Sequence, residues 1–189
     1  MLVAAKALMF DFYGNAAGQS DAEATPLTER WDLTARQRLQ PPYPHNHLLI
    51  SPVNPGDTFA ARAGTTLSAG PLLPRHEWDG EANDARTRFA LLALTNPKDG
   101  REDDYDRWYW DRHFPDGRRL PGCFAGRRYL LAEGGAGPYR HLAIYLYDND
   151  DVGDTLDVLL RIAGTPEMPG SDSISPGHDA WYVEPHRRP

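Results

Sequence analysis

One stretch of the sequence, residues 105–115, combines aromatic, basic and imidazole side chains at helical spacing. If a helix covers residues 101–113, the angular period of the α-helix gathers four side chains on one face, with His113 at its edge. The four are Tyr105, Trp108, Tyr109 and Arg112. Aromatic walls beside hydrogen-bonding nitrogens suit a pocket for an unsaturated ligand, so the three aromatic residues are predicted to bind substrate. The alternative is an amphipathic helix whose aromatic side chains only pack and whose histidine caps the last turn.

His113 is the first candidate for a general acid or base. Imidazole titrates near neutral pH, so it can accept and return a proton under physiological conditions. Asp116 follows closely, and it is predicted either to orient His113 as a catalytic partner or to cap the turn. An unperturbed imidazole would give the rate a pH dependence near neutrality.

Residues 141–147 read as a strand whose two faces differ in chemistry. One face carries Leu142, Ile144 and Leu146, and a wholly aliphatic face is expected to lie under helices. The other carries His141, Ala143, Tyr145 and Tyr147, and it is expected to face a cavity that tolerates polar groups. Tyr145 could then polarise a substrate carbonyl, while Tyr147 and His141 contact the substrate. The alternatives are tyrosines bonded to the backbone in the core and an exposed His141.

Two consecutive arginines, Arg127 and Arg128, lie on the preceding predicted strand and therefore point to opposite faces. One guanidinium is expected to face inward, where it could hold a substrate carboxylate or enolate, and the other is expected in solvent. The pattern leaves open which arginine faces inward.

A metal site and a cofactor site are both considered and not predicted. His45 and His47 have the spacing of two ligands on one strand face, but a third ligand at suitable spacing is missing. The sequence has no Gly-rich phosphate loop after a strand and no Gly-x-Ser-x-Gly turn. Its one cysteine, Cys123, begins an apolar strand and is interpreted as a buried spectator thiol. We therefore expect no metal and no cofactor.

Composition limits the partners that the chain can have. Its 189 residues carry a formal net charge of -7, and no segment is dense in Lys and Arg. Nucleic acid and anionic membrane surfaces are therefore not expected as partners. No apolar segment is long enough to cross a bilayer, and the N-terminus lacks the form of a signal peptide. A cytoplasmic protein with a small-molecule substrate is the expectation.

The second half of the sequence predicts six elements in the order strand, helix, strand, strand, helix, strand. That order is typical of the ferredoxin-like α+β fold. The strands are expected at residues 89–94, 123–131, 141–147 and 180–183, and the helices at 101–113 and 155–163.

The run Trp108-Tyr109-x-x-x-His113-x-Pro115, followed by Pro121-Gly122 and by Arg127-Arg128-Tyr129, resembles the helix-to-strand signature of EthD-like proteins. These proteins belong to the dimeric α+β barrel superfamily, and the resemblance covers roughly residues 86–184. It implies ferredoxin-like units whose two sheets form a barrel. It also implies a cavity that hosts cofactor-free cyclases, dehydratases, isomerases and some monooxygenases.

The first half reads as an abbreviated copy of the second. Residues 4–13, 45–53 and, more weakly, 58–68 are predicted strands, and an acidic-to-basic polarity predicts a helix over residues 20–39. Shifting the chain so that Trp31 falls on Trp108 aligns two short motifs, and both halves end near a tryptophan. We therefore predict an abbreviated unit at 1–82 and a complete unit at 86–184, which together form the barrel within one chain. In this alignment Arg36 takes the position of His113.

These observations favour a cofactor-independent enzyme that moves protons on an aromatic, polyketide-like or lactone-type substrate in the barrel cavity. A cyclase, dehydratase, lyase or isomerase would use such chemistry. The alternatives are a non-catalytic protein that binds a hydrophobic metabolite and a cofactor-free monooxygenase. Trp110 points away from the pocket face, so it is expected to contact either a second chain in a homodimer or the N-terminal segment.

Overall fold

The architecture is given by a computed structural model of the chain. The structure describes residues 7–14, 29–36, 44–54, 64–81 and 87–186, with the side chains of residues 34–36 left aside. Residues 20–28 and 37–39 of the first predicted helix, and residues 58–63 of the weakest predicted strand, lie outside this part of the chain.

The described residues form eight antiparallel strands that close into one barrel. In chain order they are β1 (Leu8–Tyr13), β2 (Glu29–Arg36), β3 (His47–Pro52), β4 (Thr65–Asp79), β5 (Phe89–Thr95), β6 (Cys123–Ala136), β7 (His141–Tyr147) and β8 (Asp179–Pro185). The order around the barrel is β1-β3-β2-β8-β5-β7-β6-β4. All four strands predicted in the second half are present, and the ferredoxin-like barrel expected from the sequence is confirmed.

The two halves of the chain contribute four neighbouring strands each. Reading around the barrel, the first half gives β4-β1-β3-β2 and the second gives β8-β5-β7-β6, so both follow the order fourth, first, third, second. The halves join at two matching seams, because β2 pairs with β8 and β4 pairs with β6. This repeated order is what two tandem copies would produce, while the unit boundaries 1–82 and 86–184 stay a prediction.

The helix predicted in the first half is wrong at its end. Residues 29–36 form β2 rather than part of a helix, whereas the residues aligned with them, 106–113, are helical. The physical reason is the alternation of Trp31 and Leu33, which turns apolar side chains toward the barrel interior at the period of a strand. Because Arg36 ends a strand opposite Trp181, it is not the counterpart of His113.

The helices described by the structure all belong to the second half. Helix α1 (Glu102–Trp108) continues through a π-helical turn (Tyr109–His113) into the short helix α2 (Phe114–Gly117). Helix α3 (Val152–Ile162) begins where Asp151 accepts a hydrogen bond from the Gly153 amide at 2.7 Å. Within this part of the chain, no helix combines the length and apolar character needed to span a bilayer.

The second-half sheet separates two apolar layers. The barrel interior holds aliphatic and aromatic side chains from both halves, including Phe10, Phe12, Leu142 and Trp181. The outer face carries Tyr145 and Tyr147 and packs against the helices. The aliphatic face of β7 therefore fills the barrel, and the tyrosine face lies under the helices. That is the reverse of the prediction for the aliphatic face, because closure of the barrel turns it inward.

Trp110 contacts the first half of the chain. Its ring stacks on His76 of β4 with the ring centres 3.9 Å apart, and it also stacks on Phe114 at 5.5 Å. About a third of the side chain stays exposed, at 38%. Of the two contacts expected for Trp110, the one within the chain is therefore present, and a homodimer stays a proposal.

Because side chains of both halves fill the barrel, we predict that the two halves unfold together. Phe12 is fully buried, and its ring lies 6.5 Å from that of Trp181 in the other half. We expect Phe12→Ala to lower the free energy of unfolding by about 3–5 kcal/mol, since it opens a cavity that both halves line. Leu160→Ala, at an exposed position, should change it by less than about 0.5 kcal/mol.

Urea denaturation followed by circular dichroism and tryptophan fluorescence would measure both changes. The two signals should also coincide in one transition. Two separate transitions would contradict a core shared between the halves.

Candidate active site

A cavity of about 260 Å³ lies between the outer face of the second-half sheet and the elements that cover it. It is therefore outside the barrel, and a substrate site inside the barrel stays a prediction. Aliphatic and aromatic side chains of both halves pack in the barrel interior. The walls come from the sheet (Leu91, Ala93, Thr95, Tyr145 and Ala180), from the helical segment (Trp108, Tyr109, His113 and Gly117) and from residues 163–178.

The π-helical turn decides which side chains of the helical segment meet the cavity. Its wider hydrogen bond runs from the Phe114 amide back to the Tyr109 carbonyl. The extra residue in this turn shifts the helical phase, so His113 joins Trp108 and Tyr109 on the cavity wall. Arg112, predicted on the same face, instead points outward and donates to the Pro166 carbonyl at 2.7 Å.

Aromatic contacts fix the ring of His113. The imidazole stacks on Trp108 with ring centres 4.6 Å apart and meets the edge of Tyr109 at 5.0 Å. Trp108 is itself held by its indole N–H, which donates to the Pro169 carbonyl at 3.2 Å. The three rings therefore form one rigid wall of the cavity.

His113 is a neutral imidazole at neutral pH. Burial lowers its pKa to about 4, and the positive charges of Arg128 and His178 act in the same direction. Its Nδ1 atom is buried and makes no hydrogen bond to the residues that the structure describes. Nε2 is therefore the nitrogen that can meet a ligand. The expectation of titration near neutrality is corrected, because it assumed an imidazole in water.

Tyr109 and Tyr145 bring two phenol groups to the same cavity. Burial raises the pKa of both, and each hydroxyl also affects the pKa of the other. Neither hydroxyl makes a hydrogen bond of normal geometry to described residues. The position of the Tyr145 ring requires glycine at residue 117, since a Cβ added to Gly117 would lie 2.7 Å from the ring. Both phenols are thus protonated at neutral pH.

Residues 163–178 cover the cavity and are tied to the rest of the fold. The amide of Lys98 donates to the Ser173 carbonyl at 2.7 Å, and that of Ser175 donates to the Asn96 carbonyl at 2.8 Å. Arg101 also binds Asp172 at 3.1 Å. These bonds hold Met168, Pro169 and Ser171 against the cavity.

Three predicted substrate-binding residues lie behind the cavity wall rather than on it. Tyr105 is buried, and its hydroxyl lies 2.5 Å from that of Thr95, which does line the cavity. Arg128 donates to Asp106 at 2.6 Å and lies 3.3 Å from Nδ1 of His141. Burial and the charge of Arg128 lower the pKa of His141 to about 4. Tyr105, Arg128 and His141 therefore form a buried polar cluster beneath α1.

Three further predicted residues are not brought to the cavity. Arg127 points to the other face of β6 and donates to the Trp78 carbonyl at 2.8 Å and to Asp79 at 2.6 Å. Tyr147 stacks on Phe89 at 4.6 Å in the apolar layer. Asp116 is buried, forming ion pairs with Arg112 at 3.1 Å and with Arg119. Their assigned roles stay predictions, and the geometry gives them structural partners.

Several cavity residues are not identified by the sequence. Thr95 ends β5, while Ser171, His178 and Asp179 come from the covering segment and the start of β8. The pair His178-Asp179 precedes the tryptophan near the end of the second half, and its spacing alone does not indicate a cavity. No local pattern marks Ser171, since only tertiary packing brings its loop over the cavity.

The histidines considered for metal binding have other partners. The Nδ1 of His45 lies 2.5 Å from the Thr66 hydroxyl, and its ring contacts Phe12 and Trp181. His47 pairs with Asp32 at 2.9 Å. Among the described residues, no three His, Cys, Asp or Glu side chains are grouped to hold a metal ion. Burial raises the pKa of Cys123 to about 12, so it is a thiol at neutral pH.

The low pKa of His113 predicts a stability that depends on pH. In the unfolded chain an imidazole has a pKa near 6.5, so between about pH 6.5 and 4 the unfolded state binds more protons. The free energy of unfolding must therefore fall as the pH is lowered through this window. Replacing His113 by Gln should make that fall smaller by on the order of 1–3 kcal/mol.

Urea denaturation at pH 7, 5.5 and 4.5 would measure this effect. His178→Gln is the matched control, because it removes an exposed imidazole from the same cavity. Equal pH dependence in the wild type and the His113 variant would contradict a buried neutral imidazole.

Comparisons with known proteins identify the fold and nothing narrower. No protein-family model matches the chain, and no curated protein matches it in sequence. The structure resembles a major regulator of staphylococcal pathogenesis, with a TM-score of 0.56 and 9% identity over 96% of this chain and 100% of that one.

Two enzymes or candidate enzymes share the architecture. A dimeric chlorite dismutase from Nitrobacter winogradskyi gives a TM-score of 0.51 and 12% identity over 95% of this chain and 99% of that one. A candidate monooxygenase from Fusobacterium nucleatum gives a TM-score of 0.50 and 10% identity over 96% and 93%. At these identities the likeness establishes the fold alone, which is that of the dimeric α+β barrel proteins.

Proposed function

We propose that the protein is a cofactor-independent enzyme that transfers protons on a small aromatic, polyketide-like or lactone-type substrate. Cyclisation, dehydration, elimination and isomerisation are the reactions that such a site can perform. The narrower kinship with EthD-like proteins, indicated by the Trp108–Pro115 run, is part of the same proposal. A small-molecule enzyme also agrees with the architecture shared with the dismutase and the candidate monooxygenase.

One observation carries this proposal. A neutral imidazole and two neutral phenols line one cavity whose other walls are largely aromatic or aliphatic, with the polar side chains of Thr95, Ser171, His178 and Asp179 among them. An imidazole without a proton on its accessible nitrogen can act as a base, and a buried phenol can act as a hydrogen-bond donor. Exclusion of water strengthens both interactions because the local dielectric is low.

The proton moves in two balanced steps. His113 Nε2 takes a proton from a substrate carbon next to a carbonyl group, and the electron pair of the broken C–H bond passes to the carbonyl oxygen. The Tyr145 hydroxyl donates a hydrogen bond to that oxygen and so stabilises its negative charge. The imidazolium then returns the proton, either to a second carbon in an isomerisation or to a leaving hydroxyl group in a dehydration.

The low pKa of His113 fits the return of the proton better than its removal. In the resting cavity the imidazole is a weak base, because nothing compensates the charge that it would gain. A substrate oxygen that becomes negative supplies this compensation and raises the pKa of His113 during the step. The base is therefore effective only with a substrate that can form an oxyanion within reach of it.

Cavity size and charge restrict the substrate. The volume of about 260 Å³ lies just below the range of roughly 300–1,000 Å³ that is usual for drug-sized ligands. None of the described residues that line the cavity is Lys or Arg. A small uncharged ring compound fits these properties better than a fused multi-ring polyketide or a carboxylate.

The second candidate is a cofactor-free monooxygenase, favoured by the likeness to the candidate monooxygenase from Fusobacterium nucleatum. Its first step would be the same removal of a proton, after which molecular oxygen rather than a proton would react with the substrate anion. A non-catalytic binding protein is the third alternative. Oxygen consumption identifies the second, and binding without proton exchange identifies the third.

Hydrogen–deuterium exchange tests the proposed function directly. Small aromatic ketones and lactones are incubated with the protein in D₂O, and NMR detects deuterium that enters at carbon. The wild type should accelerate exchange, and His113→Ala should lower that rate by about 10²- to 10⁴-fold while the fold is retained. His47→Ala is the matched control, since His47 pairs with Asp32 away from the cavity. Equal rates in both variants would contradict the role of His113.

The pH dependence gives an independent measurement. Proton removal requires neutral His113, so kcat/KM should be constant near neutrality and fall only as the pH approaches about 4. A midpoint near 6.5 in the wild type would mean that the base is exposed to water and is not His113.

A tyrosine pair separates a catalytic hydroxyl from a structural one. Tyr145 and Tyr147 lie on the same face of β7 and are both buried, but only Tyr145 lines the cavity. We expect Tyr145→Phe to lower kcat/KM by about 10²- to 10³-fold, the usual cost of losing one donor to an oxyanion. Tyr147→Phe should stay near the wild-type value. If Tyr147→Phe lowered kcat/KM more than Tyr145→Phe did, the assignment of the oxyanion contact to Tyr145 would be wrong.

A further inference from the structure

Arg128 places a positive charge directly behind the cavity wall. The residue is 1% exposed, and the centre of its guanidinium lies 4.3 Å from the ring centre of Tyr109. Tyr109 also lines the cavity, where it lies close to Tyr145. The cation thus touches the back of a ring that forms part of the site, while Arg128 itself does not line the cavity.

The charge of Arg128 is only partly compensated. Its Nη2 donates to Asp106 at 2.6 Å, but Asp106 is 35% exposed and also lies 3.6 Å from Arg75. One carboxylate therefore serves two guanidiniums. The neighbouring His141, with its Nδ1 at 3.3 Å, adds no negative charge. Nε and Nη1 of Arg128 make no hydrogen bond to residues within the described ranges.

Such a residue is costly for packing alone. Removing a guanidinium from water is unfavourable unless its charge and its N–H groups are paired, and an apolar side chain of similar size could fill the same volume. What distinguishes arginine at this position is therefore the positive field that it maintains. Because the surrounding layer is apolar, that field is weakly screened and reaches the cavity through the Tyr109 ring.

We propose that Arg128 is a positioning residue of the site, whose buried charge acts through Tyr109 and favours substrates that react as enolates or phenolates. The inference rests on the proposed function and narrows its substrate class. A negative oxygen bound by the Tyr109 and Tyr145 hydroxyls would lie at the edge of the ring whose face the cation contacts. A neutral or cationic ligand would gain nothing from this arrangement.

The same field acts on His113. Groups that face the imidazole are Trp108 and Tyr109 from the helical segment, Arg128 from β6, and His178 from the covering segment. Arg128 is the charged residue among them that is fully buried. It opposes a second positive charge on His113 until a negative substrate oxygen is present, which links protonation of the base to formation of the oxyanion.

Histidine titration by NMR tests the field without any substrate. The His113 signals are assigned by their loss in His113→Gln, and the midpoint is measured in Arg128→Gln, Arg128→Met and Arg128→Lys. We expect the two neutral variants to raise the midpoint from about 4 by roughly half to one pH unit, and Arg128→Lys to keep it. Arg127→Gln is the matched control, because it removes a guanidinium on the opposite face of β6.

An unchanged midpoint in a folded neutral variant would overturn the inference. If only Arg128→Lys folds, a midpoint that rises toward 6.5 in that variant would overturn it as well, since the charge is retained there. A merely structural arginine would change stability in these variants without this dependence on charge.

The substrate class is tested with 4-nitrophenol, whose absorbance reports its ionisation. Wild-type protein should bind it as the phenolate and shift its ionisation to lower pH, and Arg128→Gln should lose at least about tenfold of the preference for phenolate over phenol. Absence of binding, or equal preference in both proteins, would contradict the inference. A lack of turnover with every ketone and lactone would count against the proposed function alone, because neither measurement here depends on catalysis.

Discussion

Closure of the barrel by two matching seams is the constraint on which the rest of the structure depends. Once β2 pairs with β8 and β4 pairs with β6, the inward faces of both halves meet and fill the interior with apolar side chains. The cavity of the candidate site forms on the outer face of the second-half sheet, where a helical segment and a long loop cover tyrosine-bearing strands.

The sequence predicts an element well where its apolar residues recur with one clear period, that of a strand or that of a helix. In the second half, apolar alternation and helical spacing predict four strands and two helices close to their observed positions. In the first half the charge polarity of residues 20–39 predicts a helix, whereas the alternation of Trp31 and Leu33 belongs to the strand β2. Charges at the ends of a segment are a weaker signal than the periodic burial of its apolar residues, since burial decides the larger part of the free energy.

Only part of the site was accessible to the same reasoning. Trp108, Tyr109 and His113 share a helical segment, and Tyr145 follows from strand alternation, so local periods identify them. The π-helical turn has no sequence signature here, and it decides that His113 faces the cavity while Arg112 does not. Tyr147 shares its face of β7 with Tyr145, and only the extent of the covering elements separates the two. How far the helices and the covering loop extend over a strand depends on tertiary packing, which no local sequence pattern indicates.

The electrostatics of the cavity follow from how its charges are layered. The aromatic and imidazole part of the wall is neutral at physiological pH, since burial lowers the pKa of His113 and raises those of the tyrosines. The nearest buried cation lies one layer behind, against Tyr109. A substrate therefore enters an apolar surrounding without displacing an ion pair, and the positive field acts only when negative charge develops on it. An arginine placed on the wall would hold a carboxylate ligand before any reaction, whereas an arginine placed behind a phenol favours the transition state over the bound ground state.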